Sequence, residues 1–387
     1  MTRTLVVTST FPQWEGDPRG GFIRRFWEAK AHLGEDVVVV APKTRWCRGE
    51  LLGPLRVARY AYAPTACSTL SGHFGILENV RARPYRALLL PSFLAGMYRA
   101  LQIRLEREHW DRVVAHMVVP CGLVACVAAS KRGVAVEVYG HGTDVDLLIA
   151  APVPLRRRME STLMTASAIY VPSQEKRGRL FAALPNLGAR CEVATMLETV
   201  VTEPVERRPV PGRILFLGRL IRQKGVDDLI RAVAKLNGAA HLHIAGDGPE
   251  RARLARLAAT MGVDAVFHGY VEGRQKSQAL ASASVVCVPS REIQGLSEGA
   301  PLVVHEASTL GIPVVATRVG GIPEIVSNAP ERVTLVPPGD PGALRSALQQ
   351  HLRPTPPGSL PTRVHVAVLA VGVRFKKVKE TRVFGRR

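Results

Sequence analysis

Acids and aromatics are both scarce in this chain. Of its 387 residues, 32 are Asp or Glu against 52 Lys or Arg, and aromatics make up 5%. The formal charge of +20 admits anionic partners such as nucleic acid, anionic lipid or phosphorylated small molecules. The few aromatics and the lack of a recognisable nucleic-acid module argue against nucleic acid. No run of about 18 uncharged apolar residues occurs, so no membrane span is expected. The longest apolar candidate, "MVVPCGLVACVAAS" at 117–130, reads as a buried helix. The start lacks the long apolar region and cleavage site of a signal peptide. The six cysteines form no CxxC pair, which fits reduced, mostly structural thiols in the cytoplasm and makes a structural zinc site unexpected. No GxGxxG follows the first strand-like run, so a dinucleotide site of that kind has no support.

What is present is a repeated alternation. "TLVVTST", "DVVVVAP", "DRVVAHM", "VAVEVYGHG" and "AIYVPS" recur in the first half. "RILFLGRL", "HLHIAGDG", "AVFHGY", "SVVCVPS", "PVVATRV" and "VTLVPPG" recur in the second. These runs are valine-rich and continuous, as strands buried on both faces of a parallel sheet are. Helical patterns such as "GVDDLIRAVAKL" separate them, which predicts α/β architecture with two Rossmann-like, doubly wound parallel-sheet domains. The expected division is 1–200, 201–352 and a tail at 353–387. Prolines and charges in 197–213 mark the linker. The tail holds nine Lys or Arg against one acid, a net +8, so the other 352 residues carry +12. It has four prolines early and no helical period, and no role is read for it.

Ligands of doubly wound folds sit at the carboxyl ends of strands, and several candidates follow strands. Arg219 and Lys224 in "LGRLIRQKG" suit a diphosphate, as a guanidinium fork and an ammonium point charge. Gly246 lies in the tight "AGDGPE" turn. His141 in "YGHGTD" could orient a substrate or donate to developing charge. The glycine pair of "PRGGF" could admit a phosphate to a helix beginning near Phe22.

In "SEGAPLVVHEAS" two glutamates stand eight positions apart, off any simple helical repeat. If a helix opens at Pro301, Glu298 precedes it and Glu306 lies about 7–8 Å along it. The amides of Gly299, Ala300 and Leu302 would then face the cleft with the positive end of the dipole. An acceptor at each end and free amides between them suit a nucleotide sugar.

The ordered motifs "GRLIRQKG", "AGDGPE", "FHGYV" and "EGAPLVVHEASTLGIPVVATRVGGIPEIV" closely resemble the retaining glycosyltransferases of family 4, which have the GT-B fold. The resemblance spans about 1–340 and is specific over 213–326. "GDPRGGF" and "GHGTD" are similar to the subgroup that builds bacterial exopolysaccharides and related cell-surface glycans. It implies hexosyl transfer from a nucleoside diphosphate sugar to a hydroxyl of a lipid-linked saccharide. It assigns Glu298 to the donor sugar, Glu306 to the ribose, and Arg219 and Lys224 to the diphosphate. His141 would lie near the transferred sugar and Gly21 near the phosphates, with Gly269, Tyr270 and Val271 meeting the base. "MLETVV" departs from the family's usual turn into the second domain, and the tail does not resemble the family's closing helix.

The charges at the diphosphate are expected to act without a metal, and no cofactor beyond the co-substrate is expected. "DVD" at 144–146 is the only Asp-x-Asp candidate. The basic, apolar stretch 80–108 and "LRRRME" at 155–160 predict peripheral association with an anionic membrane. The alternatives are a non-catalytic nucleotide-sugar binder and a nucleotide-sugar epimerase of the same fold.

Overall fold

The computed structural model describes residues 2–17, 19–47, 51–71, 75–194, 205–236, 240–326 and 332–352. The expected tail therefore lies outside the described residues, as does the first part of the expected linker, 197–204.

The first sheet comprises β1 (Arg3–Thr8), β2 (Asp36–Pro42), β3 (Leu51–Leu52), β4 (Leu55–Tyr60), β5 (Arg112–His116), β6 (Ala135–Tyr139), β7 (Ala168–Val171) and β8 (Cys191–Val193). Their order is β3-β4-β2-β1-β5-β6-β7-β8. Every pairing in it is parallel except β3 with β4. The second sheet holds β9 (Arg213–Leu217), β10 (His241–Ala245), β11 (Ala265–Gly269), β12 (Val285–Val288), β13 (Val314–Thr317) and β14 (Val333–Val336). Its order is β11-β10-β9-β12-β13-β14, all parallel. All eleven strand-like runs are strands, in the expected pair of doubly wound sheets.

The physical basis is the double burial of their valines. Val38, Val39 and Val40 are at most 2% exposed, and Val285, Val286 and Val314 are fully buried. Each sheet has core on both faces: Val38 and Val40 join one cluster, Val37 and Val39 the other. The apolar 117–130 segment makes a turn and then the Leu123–Ala129 helix, packed in the first core.

Strand order reverses at β1/β5 in the first sheet and at β9/β12 in the second. A crevice opens outside the carboxyl ends of the strands at such a point. The loop after β6 meets the loops after β9 and β12 there. The approach is close. A Cβ on Gly142, whose φ is +109°, would stand 3.2 Å from the backbone nitrogen of Gly299.

Candidate active site

One pocket between the two lobes is lined by His141 and Thr143 from the first and by Arg219, Lys224, Glu298 and Gly299 from the second, among others. Five residues singled out in the sequence thus share a wall: His141, Arg219, Lys224, Glu298 and Gly299.

Lys224 ends a short turn, Arg222–Lys224, after β9. Gly225 follows with φ +62°, and a Cβ there would lie 2.0 Å from the carbonyl oxygen of Pro289. Only glycine lets the β9 loop press against the β12 loop, and that contact brings Lys224 to Glu298. Their Nζ and Oε1 are 2.5 Å apart. The Ser290 hydroxyl donates to the same Oε1 at 3.0 Å. Burial opposes ionisation of Glu298, but the Lys224 ammonium, Ser290 and the field of Arg219 hold its carboxyl below the usual range. Read from the motifs, these two residues have separate tasks; in the folded chain they form one ion pair. Lys224 keeps two of its three N–H donors for a ligand. Arg219 is exposed, and no carboxylate pairs with it among the described residues.

The helix after this loop is Leu302–Thr309. Pro301 precedes it as an extended cap with ψ 114°, so the expected proline at the first helical position is corrected to Leu302. No side chain caps this end. Ala300 is partly buried against the second lobe's core. Glu306 is 1% exposed and paired with Lys276 through Oε1. Its Oε2 is buried without a hydrogen-bond partner. The sequence pattern did not register Lys276, thirty residues earlier.

The remaining candidates lie outside this pocket's lining. Gly21 opens the Gly21–His32 helix, and the Tyr270 hydroxyl stands 3.5 Å from where its Cβ would be. Tyr270 donates to Glu272 at 3.0 Å; burial and that carboxylate push its hydroxyl up to about 12. The Gly246 N–H donates to the Gly269 carbonyl at 2.6 Å, closing β10 against β11. Val271 packs on the core behind them.

His141 is half-buried at the end of β6. Its backbone N–H donates to Asp144 Oδ1 at 2.8 Å, while the Val118 N–H donates to Asp144 Oδ2 at 2.6 Å. Asp146 binds the buried Lys176 ammonium at 2.7 and 2.8 Å. Both carboxylates of "DVD" are therefore engaged by the protein. Among the described residues no group of three or more His, Cys, Asp or Glu is placed to hold a metal ion, and no helix is long and apolar enough to cross a membrane.

Lys176 also donates to the Ser297 hydroxyl at 2.7 Å, and the Ser297 N–H donates to Asp146 at 3.0 Å. A buried ion pair of the first lobe thus holds the residue before Glu298. No local pattern announces it, because the partners stand far apart in the chain.

Residues 211–353 match the family described as "Glycosyl transferases group 1". A GDP-mannose-dependent alpha-(1-6)-phosphatidylinositol monomannoside mannosyltransferase of Mycobacterium tuberculosis is 28% identical over 357 residues, 85% of this chain and 83% of its own. Among solved structures, sucrose-phosphate synthase from Thermosynechococcus elongatus aligns with a TM-score of 0.70 at 20% identity, covering 91% of this chain and 90% of its own. HepE of Anabaena, solved with UDP-glucose, aligns at 0.65 and 16% identity over 91% and 90%. The second lobe is thus similar to group 1 glycosyltransferase domains, in a chain with the GT-B fold.

Proposed function

We propose that the chain is a retaining family 4 glycosyltransferase that moves a hexosyl group from a nucleoside diphosphate sugar to a hydroxyl of a lipid-linked saccharide, in the synthesis of a cell-surface polysaccharide. The observation that carries the reading is the meeting of Arg219, Lys224, Glu298 and His141 in one pocket beside an uncapped helix amino end. The diphosphate would lie against Arg219, Lys224 and the amides of Leu302 and its neighbours. Glu298 would accept from sugar hydroxyls, with its charge fixed by Lys224. Glu306 Oε2, buried with no partner, would accept from the ribose; an unmet buried carboxylate oxygen costs free energy until a ligand supplies a donor.

In the reaction the bond from the anomeric carbon to the diphosphate oxygen breaks, and its electron pair leaves with the diphosphate. The acceptor oxygen forms the new bond on the same face, and its proton passes to the leaving group. Two cations and a helix dipole at the site of developing charge act electrostatically, without needing a metal. The mycobacterial relative's named donor and acceptor support a nucleotide sugar and a lipid-borne acceptor.

Membrane association at the inner face belongs to the same proposal. Tyr85 and Leu88 are 62% and 83% exposed beside Arg83 and Arg86. Val153 and Leu155 are exposed beside Arg157 and Arg158. Flotation with vesicles of anionic and of zwitterionic lipid checks it: salt-sensitive binding to the anionic vesicles alone is expected, and none would remove this part.

The activity is tested by incubating the chain with UDP-glucose and with GDP-mannose, with and without a lipid-linked saccharide acceptor. Transfer, or slow hydrolysis without acceptor, is expected from one donor, and loss of both in Glu298→Gln with fold intact. Binding without turnover would favour the non-catalytic binder; conversion to an epimer without acceptor would favour the epimerase.

A further inference from the structure

His116 enters none of the roles above, yet it is fully buried at the carboxyl end of β5, the strand beside β6. Both of its ring nitrogens are engaged. The Trp27 indole N–H donates to His116 Nε2 at 2.8 Å. His116 Nδ1 meets His141 Nε2 at 3.1 Å. The His116 and His141 ring planes are 17° from parallel with centres 5.3 Å apart. That spacing is what the nitrogen separation leaves when both nitrogens lie near the line between the rings.

The direction of these bonds follows from chemistry. An indole nitrogen can only donate, so His116 Nε2 must carry a lone pair. Burial among Trp27, Phe26 and Tyr139 holds His116 neutral, its value well below the ordinary one. A neutral imidazole has one proton, and here it must sit on Nδ1. His116 therefore donates to His141 Nε2.

We infer that Trp27 and His116 are positioning residues: they form a one-way hydrogen-bond relay that fixes His141 with its proton on Nδ1, so that His141 presents a donor to the pocket. The backbone supports the relay. Asp144 ties the loop after β5 to the loop after β6, and the Phe22 ring packs edge-on against His141 at 5.0 Å. No other described residue bonds to the His141 ring. Nδ1–H is thus the group left for a ligand oxygen, such as a hydroxyl of the transferred sugar. That last consequence rests on the proposed function; the tautomer does not.

The test is ligand-free. The full chain is labelled with 15N-histidine, and two-bond 1H–15N correlation reads the tautomers, with the His141 signals identified by their loss in His141→Gln. The expected wild-type result is a proton on Nδ1 in both His116 and His141. His116→Phe and Trp27→Phe should turn His141 into a mixture of tautomers. His116→Asn, whose amide can donate from near the Nδ1 position, should keep the wild-type tautomer. Thermal melts check folding; if His116→Phe does not fold, Trp27→Phe and His116→Asn carry the comparison. His141 protonated on Nε2 in the wild type, or one unchanged tautomer in all folded variants, would overturn the inference. With whichever of UDP-glucose and GDP-mannose the wild type cleaves, kcat/KM should fall about tenfold in His116→Phe and less in His116→Asn. If neither is cleaved, the tautomer result still stands or falls alone.

Discussion

Glu298 gathers the opposing forces of the site on one carboxylate. Burial favours the neutral acid, while Lys224 at 2.5 Å and the Ser290 hydroxyl favour the anion and prevail. A carboxyl depressed on folding stabilises the protein fully above its unfolded value, about 4.3, and that contribution fades as pH falls through the folded value. Thermal midpoints followed from pH 6 to pH 3 should therefore drop less steeply in Glu298→Gln than in wild type; equal slopes would show that the pair contributes nothing. At pH 7, Lys224→Met strips the carboxylate of its cation. Charge-assisted hydrogen bonds contribute about 1.5–3 kcal/mol, and urea unfolding should show a loss of that order.

At the scale of elements, two loops and one helix make the donor-side wall. Their register depends on Gly225. A methyl group there meets the Pro289 carbonyl and forces a non-glycine residue into left-handed backbone. Gly225→Ala should cost about 2–4 kcal/mol, from strain and overpacking together, seen as a lowered melting temperature, and it should weaken donor cleavage by moving Lys224. Much at this scale was legible beforehand. Continuous valine runs declare strands buried on both faces, and the strand-end motifs declare which loops reach the cleft. β4 was not legible, because "LRVARY" breaks its apolar run with arginines and lies near the sheet edge. β8 is only three residues long. The Trp27–His116 bond spans 89 positions and Lys176–Ser297 spans 121, so no local pattern could announce them. What periodicity conveys is the scaffold and the loops that matter. The pairings that tune each functional group arise only when distant loops meet.

For the whole molecule, the contact between lobes sets the site. Lys176 and Asp146 are 0% and 1% exposed and share Ser297 from across the cleft. The backbone N–H groups of Gln174 and Glu175 donate to the Glu324 carboxylate at 2.6 Å each. The Arg179 guanidinium donates to the Gly295 carbonyl at 2.7 Å. Removing one member of a buried ion pair costs up to about 3–5 kcal/mol, and without Lys176 the Asp146 carboxylate keeps one cation, Arg179, 3.4 Å away. Lys176→Met should therefore destabilise the chain by that order in urea unfolding, and small-angle scattering should give a larger radius of gyration as the lobes separate. An unchanged radius would mean that the other cross-lobe bonds suffice. The most direct measurement is a crystal structure of the chain with UDP-glucose or GDP-mannose bound. The expected result is a diphosphate within hydrogen-bonding distance of Arg219 and Lys224, over the amino end of the Leu302–Thr309 helix, with the sugar reaching Glu298. A nucleotide sugar bound elsewhere, with Arg219 and Lys224 untouched, would contradict the account.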